Sequence, residues 1–207
     1  MVGRAAVGSL ALHSRTLRVD VHAEGEEFFL AEAELRDERP WADDEEVREA
    51  ESRLGPAAAI GLLHHMELRV RVRREGLMIT ESSAEMRAFP HDECPLIAPV
   101  FGGMEGLSVT SGYTKALSER FRGASGCSHL HELARVLGPA VIQASISASA
   151  RRRALGEETP GGASVAGVRG SCHVWADGGV GERKLEAGWK PGTGVYPVPQ
   201  LRVSESR

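Results

Sequence analysis

Between His65 and Arg73 apolar and charged residues alternate without a break. Met66, Leu68, Val70 and Val72 fall on one side, and Glu67, Arg69, Arg71 and Arg73 on the other. Successive side chains of an extended chain point to opposite faces, so this is the pattern of a strand with one face buried and one in water. Such a strand needs partners for its backbone and a cover for its apolar face. Arg74-Glu75-Gly76 reads as a turn, and Leu77 to Ala88 as the strand that pairs back. Upstream, Leu17, Val19 and Val21 alternate with Arg18 and Asp20; after Gly25, Phe29, Ala31, Ala33 and Leu35 alternate with Glu32 and Glu34. These two runs predict a hairpin, and the whole an antiparallel sheet of about four strands.

After Pro90 the spacing becomes helical. Pro95 suits a first helical position, which makes Cys94 the expected cap of a helix carrying Leu96, Ile97, Val100 and Phe101. A second helix is expected over Tyr113–Phe121, between Ser111 as cap and Gly123 as terminator. A third begins near Cys127, with Leu130, Leu133, Ala134 and Leu137 as its apolar stripe. Gly138-Pro139 should kink it or divide it in two before Arg151-Arg152-Arg153. The fold class is therefore α+β, an antiparallel sheet of about four strands packed against three or four helices. Residues 10–178 read as a single domain, with a solvated acidic insert at 37–55 whose start is pinned by Trp41, and a glycine-rich linker at 156–167. Ser171 to Trp175 is a possible strand, and 179–207 a largely disordered tail.

The net charge of -4 argues against nucleic acid as a partner, since that binding needs a basic surface. No run of apolar residues is long enough for a membrane span, and no signal-peptide pattern opens the chain. The three cysteines, Cys94, Cys127 and Cys172, are odd in number and widely spaced. A reducing cytoplasm, with free thiols, is the expected setting.

Those thiols carry the candidate chemistry. Cys94 and Cys127 each stand at a predicted helix start, where free amides and the helix dipole favour a thiolate. His129 and His131 follow Cys127 closely. Cys127 and His131 share a face if the helix includes Cys127, whereas Cys127 and His129 converge if it starts at Ser128. Cys172-His173 and His64-His65 add further nitrogen and sulfur donors. His13 and Arg15 at the start of the first strand are a polar pair that could contact a site. No zinc-finger spacing, phosphate loop or Gly-x-Ser-x-Gly elbow is present.

Several separated pieces occur in one order: His13-Ser-Arg15, His64-His-Met66, Ala84-Glu-Met-Arg-Ala-Phe-Pro90 with Cys94-Pro95, Gly112-Tyr113, Gly126-Cys-Ser-His-Leu130 with Glu132-Leu133, and Ser171-Cys-His173. In these the chain resembles the bacterial family called domain of unknown function 2889. Where relatives carry His-Asp-Met this chain has His64-His65-Met66, which favours His64 as the matching histidine. The resemblance implies no activity; it implies that His64, Cys94, Cys127, His129 and Cys172 belong together.

Three function classes follow. The leading expectation is a site binding zinc, iron or an iron–sulfur cluster, or holding an activated thiolate, with His64, Cys94, Cys127, His129 and Cys172 as metal ligands. The second is a metal-free enzyme with Cys127 as nucleophile and His64 or His129 as base. The third is a non-catalytic module whose sheet or groove contacts a protein partner or a second copy of the chain.

Overall fold

The computed structural model describes residues 10–45, 47, 49, 61–110, 112–157, 170 and 172–187. The chain divides into two units, Met1–Glu158 and Thr159–Arg207. Ser111, the end of the acidic run with residues 46, 48 and 50–55, most of the glycine-rich linker, and the last twenty residues of the expected tail lie outside the described residues.

In the first unit four antiparallel strands pair in sequence order: β1 (Ser14–Glu24), β2 (Phe28–Glu38), β3 (Leu62–Arg73) and β4 (Met78–Ala88). The alternation read from the sequence sets which face is covered. Phe29, Ala31, Ala33 and Leu35 of β2 and Met66, Leu68, Val70 and Val72 of β3 are buried, while the arginines of β3 face outward. Outside, Arg69 pairs with Glu32 and Arg71 with Glu24 and Glu81, a ladder of opposite charges.

Helices cover the inner face. Cys94–Met104 forms a 3-10 segment rather than an α-helix, with Pro99 inside it. Glu93 precedes it, so Cys94 is its first residue and not the expected cap. Helix α1 spans Tyr113–Phe121, and helix α2 spans Ser128–Ala154. Gly138-Pro139 neither ends nor divides α2, which runs unbroken for 27 residues. Packing outweighs local preference here. Gly138 lies under the buried ring of Tyr113, where an added Cβ would sit 2.4 Å from Cε1, and the Tyr113 hydroxyl donates to the Ala134 carbonyl at 2.9 Å. By length and composition α2 is apolar enough to cross a membrane, but its stripe of Leu130, Leu133, Ala134, Leu137 and Val141 is buried in the core of this unit.

The second unit contains a 3-10 turn at His173–Trp175 and a short helix α3, Val180–Glu186. The turn replaces the strand expected there: the Trp175 amide donates back to the Cys172 carbonyl at 3.0 Å, closing the chain on itself.

Candidate functional site

Arg15, Asp37 and His64 stand directly opposite one another on β1, β2 and β3, forming one rung at the end of the sheet. All three continue the inward parity of their strands. Asp37 extends the series Phe29, Ala31, Ala33, Leu35, and His64 precedes Met66 and Leu68 on the buried side. Asp37 is 1% exposed and is the one buried charged side chain among the described residues. It is therefore not the first residue of a solvated insert, as its charged neighbours suggested, but a core position occupied by a carboxylate.

Basic groups surround that carboxylate. Arg15 donates to it twice, from Nε to Oδ1 at 2.6 Å and from Nη2 to Oδ2 at 2.7 Å. His13 Nε2 lies 3.2 Å from Oδ1, and His64 Nδ1 lies 3.0 Å from Oδ2. The first turns of α2 close the rung from the helix side. His129 Nε2 is 3.4 Å from Asp37 Oδ2, and Glu132, three residues on and so on the same helix face, accepts from Arg15 Nη1 at 2.6 Å. The His64 and His129 rings lie 3.9 Å apart, tilted by 33°.

Burial alone would raise the Asp37 carboxyl, since it disfavours charge. The hydrogen bonds and charge of Arg15, the His64 hydrogen bond and the charge of His129 outweigh it and hold Asp37 at about 2. His129 moves the other way from protonation: burial, then the neighbouring His64, keep it below the ordinary histidine value. The site thus combines an ionised carboxylate with an imidazole biased towards its neutral form.

Cys127 reaches this cluster through His129. Helix α2 starts at Ser128, so Cys127 is its extended N-cap, and its Sγ lies 3.8 Å from His129 Nδ1. Gly126 sets up this entry. Its backbone passes so close to the end of α1 that a Cβ would sit 2.2 Å from the Phe121 carbonyl oxygen. His131 is not part of the cluster; among the described residues its Nε2 is buried with no hydrogen-bond partner, and burial lowers its pKa. His65 is on the outer face, 2.8 Å from Glu34.

Of the five candidate ligands, His64 and His129 meet at Asp37, and Cys127 adjoins His129. Cys94 is a half-buried residue packed against the core, and Cys172 is exposed in the second unit. Among the described residues, the group of three metal-ligand atoms gathered within 4.8 Å is Asp37, His64 and His129, without a cysteine.

A family model described as "Protein of unknown function (DUF2889)" matches residues 13–143. The chain belongs to this family. The DUF2889 match begins on His13 and takes in Arg15, Asp37, His64, Cys94, Cys127, His129 and Glu132, so every side chain of the cluster lies within it. It ends before the second unit, and Ser171-Cys172-His173 falls outside it. No match is found among curated proteins or among solved structures.

The residue that sequence reasoning missed is Asp37. The signal was parity: an acid at the next inward position of a strand whose previous four inward residues are apolar.

Proposed function

We propose that Asp37, His64 and His129 bind a divalent transition-metal ion, zinc or iron(II). The observation that carries this reading is the spacing of the donors. Two ligand atoms each about 2.1 Å from one ion, at tetrahedral or octahedral angles, lie about 3.0–3.4 Å apart. Asp37 Oδ2 lies 3.0 Å from His64 Nδ1 and 3.4 Å from His129 Nε2. Two imidazoles and one carboxylate suit zinc and iron(II) and leave open coordination positions. An iron–sulfur cluster would need a set of thiolates that this donor group lacks. Arg15 and His13 would serve as the outer partners that orient the carboxylate. Arg15 also cancels the charge of Asp37, so a bound dication favours hydroxide or an anionic substrate at its open position.

The test is metal content after purification, followed by titration of the metal-free protein with zinc and, without oxygen, with iron(II). One equivalent should bind, and His64→Ala or His129→Ala should abolish it. Absence of saturable binding of either ion by the folded wild type would sink the reading.

A second reading has its own observation. Cys127, His129 and Asp37 stand in the order nucleophile, base, orienting acid, with Cys127 Sγ facing Nδ1 and Asp37 facing Nε2 of the same ring. It expects Cys127 to react with iodoacetamide at a rate that His129→Ala lowers, whether or not metal has been removed. The metal reading expects bound metal to leave that rate governed by occupancy of the site.

A further inference from the structure

Among the described residues, β1 is a long uncovered edge of the sheet. At the opposite edge, the start of β4 is bonded to the following chain: Leu107 accepts from the Ile79 amide at 2.8 Å, and the Gly106 amide donates to Ile79 at 2.9 Å. Among the described residues no backbone hydrogen bond is made on the outer side of β1, which is eleven residues long. An unprotected edge of that length is a template for pairing with another strand. Its inner row is apolar and poorly covered: Leu17 is 38% exposed, and Val19 and Val21 are only partly buried. Beside that row runs a groove of about 590 Å³, with Val19, Val21 and Ala23 on the strand side and Ala140, Ala144 and Ala148 of α2 on the other.

We propose that the occupant of this edge is a second copy of the chain, with β1 paired antiparallel to β1 across a two-fold axis at Val19. The argument is self-complementarity, which an interface between identical surfaces requires. Residues directly opposite in an antiparallel pair share a face, so a symmetric register places some residue opposite itself. Val19 is the midpoint of Ser14–Glu24, and centring there overlaps all eleven residues. On the outer face this register sets Arg18 against Asp20, twice. On the inner face it sets Leu17 against Val21, twice, so the exposed apolar row meets its own copy. Moving the axis by one residue sets Arg18 against Arg18, or Asp20 against Asp20, and like charges directly opposite are unfavourable. Centring on Val21 shortens the overlap to residues 18–24. The two sheets then become one continuous antiparallel sheet with the helices of both copies on the same side, and the two grooves face each other across the axis.

The test uses charge reversal at exposed positions of the full chain, with mass measured by light scattering or sedimentation at micromolar concentration. The wild type should be a dimer. Arg18→Asp alone and Asp20→Arg alone each place like charges opposite one another and should weaken the dimer roughly tenfold or more. Mixing the two variants should restore a dimer containing one of each, since every facing pair is again opposite in sign. The double variant Arg18→Asp/Asp20→Arg should dimerise with itself. A monomeric wild type overturns the proposal and leaves the groove to some other occupant. Single variants that remain dimeric, or a mixture that stays monomeric, overturn it equally. Circular dichroism of each variant confirms that a lost dimer is not a lost fold.

Discussion

Replacing Asp37 with asparagine keeps the shape of the side chain and removes the charge on which four basic groups converge. In the folded protein the Asp37 carboxyl sits at about 2, against an ordinary value of 3.8. The folded state therefore holds this proton less readily than the unfolded chain. The ionised group stabilises the fold fully above the unfolded value, and that contribution is lost as pH falls from 3.8 through about 2. At about 1.4 kcal/mol per pKa unit the displacement is worth about 2.5 kcal/mol. A second route gives a similar figure. Removing one partner of a buried ion pair costs about 3–5 kcal/mol. Arg15, however, is one third exposed and keeps Glu132, so the lower end of that range applies. Asp37→Asn should thus cost about 2–3 kcal/mol at neutral pH, measured by urea unfolding. The deficit should shrink between about pH 4 and pH 2, because the wild type loses the same charge there. A variant as stable as the wild type at neutral pH, or a deficit that stays constant down to pH 2, refutes this account of the rung.

Other substitutions probe the packing around it. Gly138→Ala drives a methyl into the Tyr113 ring, costing about 1–3 kcal/mol of overpacking offset by about 1 kcal/mol of helix propensity. Its net penalty should vanish in a Tyr113→Ala background, which thermal unfolding of the four proteins would show. Gly126→Ala meets the Phe121 backbone rather than a movable side chain; it should displace the start of α2 and weaken zinc binding in calorimetry, while Ala124→Gly, two residues earlier and exposed, should not. Leu133→Ala empties a fully buried position and should cost about 2–5 kcal/mol in urea unfolding, whereas Leu96→Ala, on the surface, should stay within about 0.5 kcal/mol.

The sheet was legible because its period is strict. A one-residue slip would turn Met66, Leu68, Val70 and Val72 to water, so the alternation fixes which face of each strand is buried. Helices α1 and α2 were legible from their apolar stripes, but the continuity of α2 was not. Gly138-Pro139 are breakers by local preference, and only the ring of Tyr113, 25 residues upstream of Gly138, explains a glycine there. Cys94 was misplaced at a cap because a proline two residues into a turn looks the same whether an α-helix or a 3-10 segment follows. At the site, His64, Cys127 and His129 stood out as chemistry, and His13 and Arg15 as a pair. Their meeting point did not. Asp37 begins a run of acids, and a run of acids reads as solvent-facing unless the parity of the preceding strand is carried one step further. Which residues stand opposite one another across three strands depends on register, and register is set by the whole sheet.

The rung also bears on the order of events in folding. Its members span residues 13 to 132, and no two consecutive elements contain enough of them to make it. The hairpin of β1 and β2 can bring Arg15 to Asp37 early, but His129 arrives only when α2 docks, across a gap of more than sixty residues from His64. The complete cluster is accordingly expected to form late in folding, after the rate-limiting step, which comparing refolding and unfolding rates with and without zinc would check. An ion bound there would slow unfolding and leave the refolding rate where it was.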